Sequence, residues 1–133
     1  MPTVHDIVFC LNATNNEGQG ASALTILSVL NPEYVPGLFS FSTVITILGL
    51  ELDTEYKMKV NLSKDDEVLG TIEGSISLAD DGGNLPVEYK GINLSIDWNN
   101  INFKEQGECT LTVIVNEVQL REKRIFVKGK NQP

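Results

Sequence analysis

The sequence predicts an all-β fold, an antiparallel β-sandwich of about eight strands, on three observations. Apolar residues recur with a period of two in several segments rich in β-branched and aromatic residues. Turn-forming residues separate nearly all of these segments. No segment carries the 3.6-residue apolar period of an amphipathic helix. Two antiparallel sheets packed by their apolar faces satisfy this pattern.

The first strand is expected at Val4–Leu11, with Ile7, Phe9 and Leu11 on one face, and Asn15-Asn16-Glu17-Gly18 turns the chain after it. Ala23–Leu30 is almost continuously apolar, and Asn31-Pro32 stops it within strand length, so it reads as a strand rather than a short helix. The Pro32–Gly37 loop leads to a long strand in which Phe39, Phe41, Thr43, Ile45 and Ile47 oppose Ser40 and Ser42. Tyr56, Met58, Val60 and Leu62 alternate with Lys57, Lys59 and Asn61, and Ser63–Glu67 closes a hairpin. Val68–Leu78 turns Ile72, Ile76 and Leu78 inward. Gly70 and Gly74 share that parity, which signals a bulge or a close backbone approach.

Beyond the polar Asp80–Pro86 loop, Ile92, Leu94, Ile96 and Trp98 alternate with Asn93, Ser95 and Asp97. Cys109, Leu111, Val113 and Val115 repeat the pattern, and Asn116-Glu117 has the length of a two-residue hairpin turn. The last strand, Val118–Val127, contains a conflict. The parity of Val118 and Leu120 misses Ile125 and Val127, and a bulge in the intervening Arg121–Arg124 run would bring both inward. No repeat, low-complexity tract or linker interrupts the pattern, so residues 1–133 read as a single domain. A chain of this length buries roughly two thirds of its unfolded surface and needs neither metal nor disulfide to fold.

The formal net charge of -8 argues against nucleic-acid binding and against docking on an anionic membrane. Residues 1–120 hold 17 acids and 5 bases, whereas the last 13 hold 1 acid and 5 bases. That basic end, with Arg121, Lys123 and Arg124 at its centre, reads as a charged strand edge that resists aggregation, or as an attachment point for an acidic partner. No basic leader with a cleavage site opens the sequence, and no apolar run has the length of a membrane span. Cys10 and Cys109 are then expected as reduced thiols of a cytoplasmic protein.

Catalytic chemistry has little to stand on. His5 is the single histidine, and neither a nucleophile elbow nor a phosphate loop is present. One histidine and two scattered cysteines do not make a zinc set, and no cofactor is expected. Asp65, Asp66 and Glu67 crowd one hairpin, and Asp80 and Asp81 crowd a loop. Solvated turns explain both clusters, and calcium is the alternative, although the Asp-x-Asp spacing is missing. Trp98, Phe103 and Tyr89 read as core packing, with an apolar binding surface as the alternative.

The closing segment runs Asn100-Ile101-Asn102-Phe103-Lys104-Glu105-Gln106-Gly107-Glu108-Cys109 and on through Thr110-Leu111-Thr112-Val113-Ile114-Val115-Asn116-Glu117-Val118. It resembles the last hairpin of a family of small bacterial and phage proteins of unknown function, read as immunoglobulin-like β-sandwiches. The order of apolar strand, Pro-containing loop and long strand before it (Ala23–Leu30, then Phe39–Leu48) resembles that family in layout. Cys109 departs from it, standing where an aromatic is typical. The resemblance implies a non-enzymatic accessory role of the kind phages and mobile elements encode, and it carries over no catalytic residue.

Three functions are therefore expected, in order. The first is a protein-binding or structural module, its partner surface drawn from Arg121, Lys123 and Arg124 or from Asp65, Asp66 and Glu67. The second is a phage-encoded inhibitor of a host defence system that acts through the acidic surface. The third is a small-ligand-binding protein or enzyme with its site in the 80–86 loop.

Overall fold

A computed structural model describes residues 2–16, 20–79 and 85–131. Nine strands are formed among the described residues: β1 (Thr3–Asn16), β2 (Gly20–Ile26), β3 (Val29–Leu30), β4 (Gly37–Leu48), β5 (Tyr56–Lys64), β6 (Glu67–Ile76), β7 (Gly91–Phe103), β8 (Gly107–Val115) and β9 (Val118–Val127). A 3-10 turn, Val87–Tyr89, precedes β7. No helix among the described residues is long and apolar enough to cross a membrane.

The strands form two sheets, of order β2-β1-β4-β7 and β3-β9-β8-β5-β6. All pairings between named strands are antiparallel except β3 with β9. The inward residues are those the period of two selects. Ile45 and Ile47 on β4, Val60 and Leu62 on β5, and Leu111 and Val113 on β8 are all fully buried in one core. At the β4–β7 side of that core Phe41 stacks on Trp98, with centroids 6.1 Å apart and ring planes 13° apart. Trp98 Nε1 donates to the buried Thr43 Oγ1 at 3.1 Å. The indole thus contributes its apolar area without stranding its N–H.

The expected β8–β9 turn forms, and the expected bulge in β9 lies just before the Arg121–Arg124 run rather than within it. The β8–β9 turn places Asn116 at φ 49 and Glu117 at φ 68. Positive φ at both central residues is the geometry that matches the twist of a two-residue hairpin. Asn116 also ties the turn to β5, its N–H donating to Lys57 O at 2.8 Å and its Oδ1 accepting from Lys57 N–H at 2.9 Å. The bulge in β9 lies opposite Val113 and Ile114, which pair with Arg121 and Gln119, so Leu120 is the extra residue. Past it the parity inverts, and Ile125 and Val127 are buried while Phe126 is exposed.

Two expectations are corrected. The strand count is nine because Ala23–Leu30 is not one strand. β2 ends at Ile26 in one sheet, Leu27 N–H donates to Phe9 O at 2.7 Å, and Val29–Leu30 joins the other sheet beside β9. Leu11 does not face the core and is 47% exposed. The last β4 partner of β1 is Cys10, opposite Ser42, and beyond that pair β1 continues with β2 alone. The β1–β2 hairpin is therefore an arm. Asn15 Oδ1, near its tip, accepts from Ser95 N–H of β7 at 3.2 Å. Cys10, Ala13 and Ser42 are buried although they lie outside the main core. Ser42 Oγ donates to Asp97 Oδ1 at 2.7 Å.

The inward glycines of β6 separate into two kinds. A Cβ on Gly70 would lie 3.2 Å from both Trp98 Cζ3 and Ile101 Cδ1, whereas one on Gly74 would meet nothing within 4 Å. Gly70 is the close approach. Its bare backbone makes room for the indole, which Phe41 and Thr43 hold in place. Gly70→Ala is expected to destabilise by roughly 1–3 kcal/mol through overpacking. Gly74→Ala is expected to be neutral, or to stabilise by up to about 1 kcal/mol through lower unfolded-chain entropy. Denaturant midpoints of the two variants, compared at equal m-values, check the pair. Equal losses would place the ring elsewhere.

Candidate functional site

Four surfaces compete for function. The first is a cleft of about 490 Å³ at one end of the sandwich, lined by Lys64, Asp65, Asp66, Glu67, Leu69, Phe103, Lys104 and Glu105. The two-residue turn between β5 and β6 builds one wall. Asp65 there sits at φ 54, a conformation Asp tolerates better than most residues. Lys64 Nζ lies 3.3 Å from Asp65 Oδ2 and 3.6 Å from Glu105 Oε2, and Lys104 Nζ lies 3.1 Å from Glu67 Oε1. The hydrogen bond to Asp65 and the two nearby carboxylates hold the Lys64 ammonium above its ordinary pKa. Asp65 and Glu67 each pair with a neighbouring lysine while remaining exposed to solvent. No set of three or more His, Cys, Asp or Glu poised to hold a metal occurs among the described residues.

The second surface is the basic strand β9. Arg121 Nη1 donates to Val4 O at 3.3 Å and to His5 O at 2.9 Å, and Lys123 Nζ donates to Ile7 O. Lys123 Nζ also stands 5.9 Å from the centre of the Phe9 ring. These two side chains bridge the sheets, reaching from β9 to backbone carbonyls on β1. Arg124 is exposed and lies 3.5 Å from Glu108 and 3.8 Å from Glu122. Exposed pairs of this kind contribute about 0–1 kcal/mol each. The structure thus places the basic trio on β9 and the acidic trio at the β5–β6 turn, with Arg121 and Lys123 turned to β1.

The third surface adjoins the 80–86 loop, of which residues 80–84 lie outside the described residues. Leu85 and Tyr89 line a small cleft of about 140 Å³ with Leu52, Leu78, Ala79, Lys90 and Gly91. Tyr89 is exposed, while Trp98 and Phe103 are buried in the core, so these three aromatics form no common surface. His5 is exposed on β1 and lines none of these clefts.

The fourth surface is the β1–β2 arm, which sequence reasoning missed. Leu11, Leu24 and Ile26 are 47%, 61% and 71% exposed. Ile26 pairs with Cys10 and Leu24 with Asn12, and Leu11 lies between those two partners at the opposite parity. Thr25, between the two exposed residues of β2, sits at φ 57. A β-branched residue rarely adopts that left-handed conformation, and its cost is of order 1–3 kcal/mol. The one signal available in the sequence was that no charged residue occurs between Gly20 and Pro32.

Both cysteines are free and fully buried. Burial pushes the Cys109 thiol up to about 11 and raises the Cys10 thiol as well. The unfolded chain loses these protons first. The thiol contribution to stability is therefore complete below the ordinary value of 9.0 and declines as pH rises from there toward about 11. For Cys109 the full decline is on the order of 2–3 kcal/mol. Urea unfolding between neutral and alkaline pH should show it, and Cys109→Val should flatten the slope. An unchanged slope in that variant would assign the loss to other groups. No family model matches this chain, and neither a curated protein nor a solved structure matches it.

Proposed function

We propose that this chain is a non-enzymatic protein-binding module of immunoglobulin-like layout whose contact surface is the β1–β2 arm. The observation that carries the reading is the exposure of Leu24 and Ile26, two positions apart on an arm that has left the main core, with Leu11 exposed on the paired strand at the opposite parity. Single exposed apolar residues are ordinary, but a contiguous group of large ones marks an interaction site. Most other apolar side chains of the sandwich close on one core, although Leu85, Val87 and Tyr89 are exposed before β7, and among the described residues no buried side-chain N or O lacks a partner.

The immunoglobulin-like reading draws support from the strand order. Without the arm strand β2 and the short β3, three strands (β1-β4-β7) face four (β9-β8-β5-β6), as in seven-stranded sandwiches of that class. The buried tryptophan on β7 and the two free cysteines depart from the antibody-domain pattern. Buried thiols are in keeping with a cytoplasmic setting.

The test is capture on the immobilised chain, its own copies included, compared with the Leu24→Lys/Ile26→Lys double variant. Capture that the variant loses supports the arm as the contact surface. Capture that survives the two lysines, or no capture by either form, sinks it.

A further inference from the structure

The two margins of the sandwich differ. On one, Arg121 and Lys123 of β9 reach the carbonyls of Val4, His5 and Ile7 on β1 and bridge the sheets. On the other, the terminal strands β6 and β7 face each other. They meet where a Cβ on Gly70 would lie 3.2 Å from Trp98 and Ile101, but a Cβ on Gly74, further along the same inward row, would meet nothing within 4 Å. Beyond Gly74 lies a cleft of about 660 Å³ between residues 75–78 and residues 91–94, lined also by Asn15 and Gly20 of the arm and by no charged side chain. Ile72, Leu78, Ile92 and Leu94 pack against the core along this margin and are only partly buried. The β7 wall of the cleft is an open edge. Ser95 N–H points away from β4, to Asn15 Oδ1, and alternation sets the N–H and C=O of Gly91 and Asn93 on the same side, where no described strand pairs with β7.

We propose that this cleft takes an extended peptide, which adds to the β7 edge as a strand, seats an apolar side chain beside Gly74 and carries a basic residue toward Asp53 and Glu55. The site is separate from Leu24 and Ile26 of the arm and does not rest on them. Backbone donors and acceptors at every second residue are complementary to another extended backbone, and a compact ligand cannot follow the row. The partly buried Ile92, Leu94 and Ile72 offer apolar surface to the alternate side chains of such a strand. Charge selects among peptides. Asp53 N–H donates to Leu78 O at 2.9 Å, and Glu55 Oε1 accepts from Ser75 Oγ at 3.1 Å, so two exposed acidic residues are anchored to residues that line the cleft. A cation beyond the apolar segment is complementary to them. An acidic peptide, or a second copy of a chain that carries -8, is repelled.

Fluorescence anisotropy with the labelled peptide Lys-Lys-Thr-Val-Thr-Val-Thr tests the proposal. It should bind saturably and about tenfold or more tighter than its Glu-Glu counterpart, and added salt should narrow the difference. N-methylation of one of the two alternate sets of amides should cost about tenfold or more. Amide hydrogen exchange at Gly91 and Asn93 should slow by about tenfold when the peptide is bound. Gly74→Leu should keep the thermal midpoint, because the added side chain enters open space, and should lose the peptide. Leu24→Lys/Ile26→Lys should leave peptide binding unchanged, which separates the cleft from the arm. No binding, a preference for the acidic peptide, indifference to both N-methylated sets, unprotected amides at 91 and 93, or binding retained by a folded Gly74→Leu chain overturns the proposal. Peptide binding lost with the arm lysines moves the site to the arm and overturns it as well. Self-association of the parent chain that Gly74→Leu abolishes places a second copy in the cleft and overturns the peptide.

Discussion

Gly91→Ala is expected to cost the fold more than about 3 kcal/mol, among the largest effects of any single added methyl group. Gly91 opens β7 opposite Leu48 of β4. A Cβ there would sit 1.8 Å from the Ile47 carbonyl oxygen, 2.8 Å from its carbon and 2.9 Å from Leu48 Cα. All three are backbone atoms of a paired strand, so no side-chain rotation relieves the clash. The Lys90 carbonyl beside it accepts from Gly49 and Leu50 N–H at 2.8 and 3.0 Å, which fixes the chain on that side too. The start of β7 must move away from β4, with loss of ladder hydrogen bonds. Thermal unfolding followed by far-UV circular dichroism should show the midpoint lowered by about 10 °C or more. A midpoint within a degree or two of the parent would mean that β4 and β7 are not in this register.

Trp98→Ala should destabilise by about 3–5 kcal/mol, the range for removing a large buried aromatic. The ring is 2% exposed and stacked on Phe41. The more informative variant is Trp98→Phe, which keeps most of the apolar area but removes the donor to Thr43 Oγ1. It leaves a buried hydroxyl short of a partner, at about 1–3 kcal/mol. Replacing Thr43 by Val in the same chain removes the stranded oxygen and should recover most of that loss. The double-mutant cycle then reads a coupling between positions 98 and 43. Strictly additive losses in urea would show that the hydrogen bond at 3.1 Å contributes nothing of its own.

The lost donor and the clash at Gly91 differ in how far the sequence announced them. Trp98 was legible as an inward residue because Ile92, Leu94, Ile96 and Trp98 alternate with polar neighbours. Gly70 was legible as a close approach because glycine interrupts an inward row, although nothing local said that the indole fills the gap. The same local pattern at Gly74 faces open space. Gly91 gave no signal, since its conflict is with a strand more than 40 residues away in sequence. Arg121 and Lys123 show the same limit. Their charge was plain, but that it would meet carbonyls of β1 depended on which sheet edges come together.

The sequence alone determined the all-β class, the inward faces of β4, β5, β7 and β8, the β8–β9 turn and the need for a bulge in β9. Each follows from alternation and turn chemistry, which act over a few residues and so are written locally. Only the tertiary structure decided that Ala23–Leu30 divides between two sheets, that β1 leaves β4 after Cys10, and that Leu11, Leu24 and Ile26 end in solvent. A period of two says that alternate side chains face different surroundings. Whether a given face meets oil or water depends on what distant chain arrives to cover it, and that is settled by packing across the whole molecule.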